Sequence, residues 1–456
     1  MTSGTAAAAA RRDVHRGGLA CGVPKVDASP PRGTRDLLPE QVGRREELVA
    51  RLVGAYERFG FRRIETPALE DLARLAGSDA GENEKLTYKV LKRGLPSTLD
   101  AGTSIDELVD LGLRFDLTVP LTRFYANNQA RLPLPFRSMQ IGPVWRAERP
   151  QKGRYRQFTQ CDIDTVGEAG VMAEAELLEA TLAALAAAAV SPVTARVNDR
   201  RLLTAMAGAC GVPAERTSSF LVILDKRDKI GWEGVRAELR ERGYREDVAS
   251  ETERIVTLLS SAESAGDVLA RAADAIPGLD DAVLDGLRST ADALEQLVHD
   301  PEGPGGFDYV IDPTVVRGLG YYTGQIFEIR HAEAAGSVAG GGRYDGLVGR
   351  SLGRDVPACG ISIGFERIVD LAGLGRPDLG VAALYEEGTE IGAALAAARR
   401  LRAGGRAVTL LPRRSNQRSQ LDGLAREGFS SYLVLDGGEP GEERLLTKGR
   451  DRPAGG

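Results

Sequence analysis

The sequence predicts a mixed α/β protein built in parts: an antiparallel sheet flanked by helices (an α+β core), a helical insertion, and a small C-terminal α/β domain. Three observations carry this prediction. Two strand-like runs, residues 139–145 and 157–166, flank a loop crowded with arginine and read as an antiparallel hairpin. A long helix-forming stretch, residues 196–307, separates that hairpin from later strand signals, as an inserted module does. After Gly380 strand and helix alternate, the order of a mainly parallel sheet. At 456 residues the chain has room for two or three domains with a substantial core.

Taken in order, residues 1–31 are rich in Ala, Gly and Pro, which predicts a poorly ordered extension. The alanine run 6–10 is too short and too weakly apolar for a signal segment, and it precedes the arginines. From 38 to 58, Val42, Leu48, Leu52, Val53 and Tyr56 fall near one helical face. Phe59-Gly60-Phe61 ends that helix, and RRIETPAL continues as a strand interrupted at Pro67. LTYKVLKRG is strand-like, and LGLRFDLTVPLTRFYANN passes from strand to helix. Residues 168–190 have strong helix propensity and an acidic start that suits the helix dipole. Within the insertion, KIGWEGVRAELRERG and DDAVLDGLRSTADALEQLV are helical. Strand signals resume at FDYVIDPTVV and YYTGQIFEIR, followed by a glycine-rich AGGGRYDGLV and by ACGISIGFERIVDLAG, a strand entering a helix. LGRPDLG reads as a linker. The expected organisation is an extension at 1–31, a core in two parts at 32–195 and 308–375, the insertion at 196–307, and a terminal domain at 378–456.

Composition excludes several classes. A formal net charge of −6 argues against a protein that coats nucleic acid indiscriminately, though local basic surfaces remain open. Cys21, Cys161, Cys210 and Cys359 lie far apart with no CxxC pair, so neither a disulfide framework nor a zinc site follows, and a reducing cytoplasm is the expected setting. His15, His299 and His331 are the only histidines, which leaves little for a metal site or nucleophilic triad. No stretch approaches the length of an apolar membrane span.

The lip of the hairpin carries Arg146, Glu148, Arg149, Gln151, Lys152, Arg154 and Arg156. Guanidiniums fixed on strands suit a polyphosphate, because each offers paired donors to its oxygens. The plainer reading of such a charge run is a solvated basic hairpin. Near the C-terminus, Arg399, Arg400, Arg402, Arg406, Arg413, Arg414 and Arg418 form a second basic surface, readable either as phosphate-facing or as solvated.

In this order the segments resemble the class II histidyl-tRNA synthetases, from about Pro31 to the C-terminus. The helix-strand-proline unit ending at Pro67 resembles motif 1, WRAERPQKGRYRQF motif 2, and GISIGFERI motif 3. VVRGLGYYTG and GGGRYDGL resemble the two histidine-specific signatures, and VNDRRLL and LDKRDKIGWEGVRAEL the family's insertion. LRFDLTVP is similar to the branch with aspartate at this site. The resemblance implies an antiparallel catalytic sheet, a C-terminal anticodon-binding-like α/β domain, a homodimer, and a two-step ligation. Histidine and ATP with Mg²⁺ give histidyl-adenylate and pyrophosphate, and the histidyl group then passes to the 3′ end of tRNA(His).

The same resemblance assigns residues. Arg146 and Arg317 would act in catalysis at the α-phosphate and the histidine carboxylate. ATP would be held by Arg146, Glu148, Arg154, Phe158 and Arg367. Histidine would be held by Asp116, Thr118, Gln160, Asp164, Tyr321, Tyr322 and Tyr344, besides the two catalytic arginines. Arg149, Gln151 and Arg156 would touch the tRNA acceptor end. Read without the family, Phe158 could be plain core and the tyrosines ordinary packing with a satisfied hydroxyl.

Two departures stand out. Relatives read RGLDYY where this chain reads RGLGYY, so Gly320 removes a carboxylate beside Arg317. RRSNQRSQLDGLAREG stands where a glycine-lysine run is expected. Two other functions therefore stay open. One is a non-catalytic histidine-binding paralogue resembling the regulatory subunit of ATP phosphoribosyltransferase. The other is a ligase acting on a non-tRNA acceptor.

Overall fold

The computed structural model describes residues 27–76, 86–95, 100, 102–150, 155–317, 321–334, 336–375, 377–436 and 439–446. Gln151, Arg154, Gly320, Cys21 and residues 1–26 of the expected extension lie outside them.

An eight-stranded sheet organises the core. Helix α1 (Pro39–Arg58) leads into the short β1 (Arg62–Arg63). After helix α2 (Thr118–Asn128) come β2 (Phe136–Trp145) and β3 (Gln157–Val166), then helix α3 (Met172–Ala187) and β4 (Val193–Asp199). The chain returns to the sheet as β5 (Phe307–Ile311), β6 (Gln325–His331), β7 (Ser337–Arg343) and β8 (Ala358–Gly364). Across the sheet the order is β1-β2-β3-β8-β7-β6-β4-β5. The β2–β3 hairpin is antiparallel in continuous register from Phe136↔Val166 to Trp145↔Gln157. Only the two edge pairs, β1–β2 and β4–β5, are parallel.

The alternation in β3 has a different meaning from the one its sequence suggests. A half-buried strand would wet its polar face, but Gln160 through Val166 are all buried. Cys161 and Ile163 join the apolar core with Leu48, Leu52 and Tyr56 of α1 and Leu177 and Leu178 of α3. Gln160, Asp162 and Asp164 point the other way, into a cavity. Both faces are covered, and the polar one is covered by the site.

The glycine-rich segment is also more regular than its composition predicts. Gly340, Gly341 and Gly342 lie inside β7, a central strand. A Cβ at Gly341 would come within 2.0 Å of the Gly360 carbonyl oxygen on β8, so the strands meet here only because Gly341 lacks a side chain.

The insertion starts later than composition suggests. Arg196 falls in mid-strand, because Val193–Asp199 pairs with both β5 and β6; the helices run from Arg200 to His299, and Phe307 already belongs to β5. Asp199 caps the first of these helices by accepting from the Arg201 N–H. Beyond the linker a five-stranded sheet has Val381–Tyr385 at its centre, parallel to Val408–Pro412 and Ser431–Asp436. Helices Ile391–Ala403 and Gln417–Glu427 cover its two faces, giving it cores of its own around Ala397 and Leu424.

Candidate active site

The cavity above β3 holds about 650 Å³, within the range of pockets that enclose small ligands. Its floor is the polar face of β3 together with Ser362 of β8. Tyr321, Tyr322 and Tyr344 form an aromatic wall, with ring centroids 4.8 Å apart for the first pair and 6.1 Å for Tyr321 and Tyr344. Asp116 enters just before α2, where its Oδ1 accepts from the Val119 N–H at 3.1 Å.

Three arginines from distant parts of the chain reach the same cavity. Arg146, at the end of β2, donates from Nε to the Phe115 carbonyl at 3.0 Å and lies over the Phe158 ring, 5.0 Å from its centroid. Arg317 and Arg367 both lie against β7. The guanidinium of Arg367 donates to the Ser337 carbonyl, and that of Arg317 fills the space a Cβ at Gly340 would need. Three residues of strand separate those contacts, roughly 10 Å.

Twelve of the sixteen residues picked out in the sequence line this one space: Asp116, Thr118, Arg146, Glu148, Phe158, Gln160, Asp164, Arg317, Tyr321, Tyr322, Tyr344 and Arg367. Gln151 and Arg154 lie outside the described residues. Arg149 is exposed on the hairpin lip, away from the cavity lining. Arg156 is engaged elsewhere: its Nε donates to the Glu148 carbonyl at 3.1 Å and its Nη1 to the Arg32 carbonyl at 3.4 Å. Its stem also packs on Gly33, so the side chain fastens the segment before α1 to the hairpin.

Sequence reasoning passed over Asp162, Ser362, Asp225 and Glu366. Asp162 is two residues from Asp164 on the same strand, and that spacing was the available signal. Glu366 takes a bidentate ion pair from Arg45 (2.7 Å on both oxygens) and a contact from Arg35, which ties α1 to the start of the helix carrying Arg367. Asp225, from the insertion, faces Arg317 and Lys229.

Burial dominates the electrostatics of the floor. It pushes the Asp116 carboxyl up to about 6, against the pull of the Val119 N–H and Arg146. Asp164 is pushed up to about 7 by burial, with Asp116 adding to the rise, although the Tyr344 hydroxyl donates to its Oδ1 at 2.6 Å. Asp162 is raised by burial and then by Asp164. Three buried acceptors, Asp116 Oδ2, Asp164 Oδ2 and Gln160 Oε1, have no hydrogen-bond partner among the described residues. Unpaired buried polar atoms are costly, so a floor of this kind is built for a ligand rich in N–H donors.

An antiparallel sheet carrying an arginine-lipped hairpin, a strand that enters an arginine-bearing helix, and a cavity between them define a class II aminoacyl-tRNA synthetase core. The family model described as histidyl-tRNA synthetase matches residues 33–368. A histidine–tRNA ligase of Leifsonia xyli is 47% identical over 424 residues, covering 90% of this chain and 96% of that protein. A histidine–tRNA ligase of Aeropyrum pernix is 41% identical, covering 78% and 75%. A histidyl-tRNA synthetase structure from Nostoc superposes with a TM-score of 0.71 at 27% identity, covering 90% of this chain and 92% of that one. A Bacillus halodurans structure titled as an ATP phosphoribosyltransferase regulatory subunit/histidyl-tRNA synthetase superposes at 0.69 with 20% identity, covering 90% and 98%, and shares the fold. The chain belongs to the histidyl-tRNA synthetase family.

Proposed function

We infer that the chain is a histidine–tRNA ligase, which activates histidine with ATP and passes the histidyl group to tRNA(His). One observation carries the reading: a floor of unpaired buried acceptors and a set of arginines line the same cavity. Histidine answers the floor with an ammonium and an imidazole N–H, and ATP answers the arginines. Asp116 and Gln160, with Thr118, receive the ammonium. Asp164, oriented by Tyr344, takes the imidazole N–H, with Tyr321 and Tyr322 as its wall. A substrate without those donors leaves Asp164 unpaired, which is how such a pocket discriminates strongly.

In the first step the histidine carboxylate attacks the α-phosphorus and pyrophosphate leaves. Arg146 and Arg317 bear on the charge that builds there, Arg367 holds the far phosphates, and Glu148 and Phe158 hold the adenine. Removing one preorganised donor of this kind costs about 3 kcal/mol of barrier. Mg²⁺ arrives as part of the nucleotide substrate and takes most of its ligands from phosphate and water. With Arg156 committed to backbone carbonyls, Arg149 is the described lip residue placed to meet the tRNA acceptor end. The protein works as a homodimer in the cytoplasm; among the described residues no helix is long and apolar enough to cross a membrane.

Pyrophosphate exchange run with each of the twenty amino acids, with and without tRNA(His), tests this. Exchange with histidine alone, and charging of tRNA(His), are expected. Histidine binding without exchange would instead favour the regulatory paralogue, and exchange without charging a different acceptor. Replacing Arg317 with alanine should abolish most exchange while leaving tRNA affinity within about twofold; equal loss of both would make that arginine structural.

A further inference from the structure

We propose that Asp162 is a positioning residue that fixes, through Ser362, which end of the Gln160 amide faces the substrate. The proposal rests on the reading of the cavity as the histidine site and adds a residue to it.

Gln160 is 8% exposed, and its Nε2 donates to Ser362 Oγ at 3.0 Å. The Ser362 hydroxyl donates in turn to Oδ1 of Asp162, which is 3% exposed. A serine has one hydrogen to give. Once Asp162 takes it, Ser362 can only accept from Gln160, so the amide must present its NH₂ to the serine and its carbonyl oxygen to the cavity. That oxygen, Gln160 Oε1, is buried with no partner among the described residues. Oδ1 of Asp162 accepts equally whether the group is a carboxylate or an acid with its proton on Oδ2. The three residues sit on neighbouring antiparallel strands, with Ser362 directly opposite Asp162 and Gly364 opposite Gln160, so the relay is held by sheet register.

The consequence is polarity. An inverted Gln160 amide would aim N–H groups at a ligand that itself brings N–H donors. Two donors facing one another forfeit the hydrogen bond and add repulsion, which should weaken histidine by about tenfold or more without touching the phosphate chemistry.

Histidine-dependent pyrophosphate exchange, first on the unaltered protein, separates the two levels: no exchange there sinks the ligase reading itself. Given exchange, Asp162→Ala, which removes the acceptor and frees the Ser362 hydrogen for Gln160, should raise the KM for histidine about tenfold, leaving kcat and the KM for ATP within about threefold. Asp162→Ala combined with Gln160→Glu should recover most of the loss, because a carboxylate shows an acceptor whichever way it turns. Ser362→Ala should raise the histidine KM, whereas Ser362→Thr, which keeps the hydroxyl, should not; this pair serves if Asp162→Ala does not fold. An unchanged histidine KM in folded Asp162→Ala, a loss not recovered by Gln160→Glu, or equal effects of Ser362→Ala and Ser362→Thr would each overturn the relay.

Discussion

Asp164 places a carboxyl in a fully buried floor, and its titration should be visible in the stability of the ligand-free protein. Its folded value is raised to about 7, against roughly 3.9 in an unfolded chain. The folded state therefore holds a proton that the unfolded state has released, and stability falls as pH rises from about 4 to about 7. Asp164→Asn keeps an acceptor for Tyr344 but cannot ionise. Melting of the two proteins should nearly coincide at pH 4 and separate by pH 8, with the variant more stable by on the order of 4 kcal/mol. A constant gap across that range would show that Asp164 is not strained by its charge. Histidine should close the gap at pH 8 by supplying the missing donor. A second residue-scale prediction concerns space: a Cβ at Gly360 would sit 1.9 Å from Asp164 Oδ1, while nothing lies within 4 Å of one at Gly346. Gly360→Ala should lower histidine-dependent exchange by about a hundredfold, and Gly346→Ala should leave it intact. At this scale the sequence disclosed the residues whose type is unusual for their surroundings. The arginines of a hairpin lip and paired tyrosines after a glycine were visible, but Asp162 and Ser362 were not. Their roles depend on cross-strand register, which no local pattern encodes.

Elements were legible where one periodicity dominates. The four-residue spacing of Leu48, Leu52 and Tyr56 along one helical face predicted α1, and these residues are fully buried. The hairpin was predicted from two runs that now pair residue for residue. Gly340–Gly342 can form β7 because the neighbouring strand and Arg317 claim the space of the missing side chains. The start of the insertion, expected at 196, falls inside a strand, because β5 and β6 flank Val193–Asp199. What joins the elements is also ionic. Arg343 of β7 makes a bidentate pair with Glu174 of α3 through Nε and Nη2, both contacts at 2.6 Å; Nη2 also donates to the Gly170 carbonyl, and Nη1 to the Glu168 carbonyl and the Asp345 carboxylate. Arg343→Met leaves Glu174, 3% exposed, without its counter-charge. Urea unfolding should show a loss of about 3–5 kcal/mol, and Glu174→Gln added to it should restore part of that. Little change in the single variant would show that this ion pair does not hold β7 to α3.

For the molecule as a whole, the two sheets divide the work. Every residue lining the cavity falls at or before Arg367, and the C-terminal sheet has apolar clusters on both of its own faces. The sequence made that second unit visible as a strand-helix alternation, yet it overstated its basic surface. Arg400 and Arg406 pair with Glu439 and Glu443, Arg413 with Glu386, and Arg402 donates to the Val408 carbonyl. Charge counted along a chain misses acids that the fold brings back across it. Arg399, Arg414 and Arg418, all exposed, are what this surface has to offer an RNA backbone. A chain ending at residue 375 keeps the complete eight-stranded sheet and all three cavity arginines, so it should retain histidine-dependent pyrophosphate exchange within about tenfold. If the second sheet binds tRNA, as the family resemblance implies, the shortened chain should lose tRNA(His) charging far more steeply. The full chain carrying Arg399→Ala, Arg414→Ala and Arg418→Ala should show the milder form of that split, with exchange unchanged and the salt dependence of tRNA binding reduced by up to about three charges. Loss of exchange in the folded truncated chain would show that the C-terminal unit helps to build the cavity. An unchanged salt slope in the triple variant would move the RNA contact to another surface.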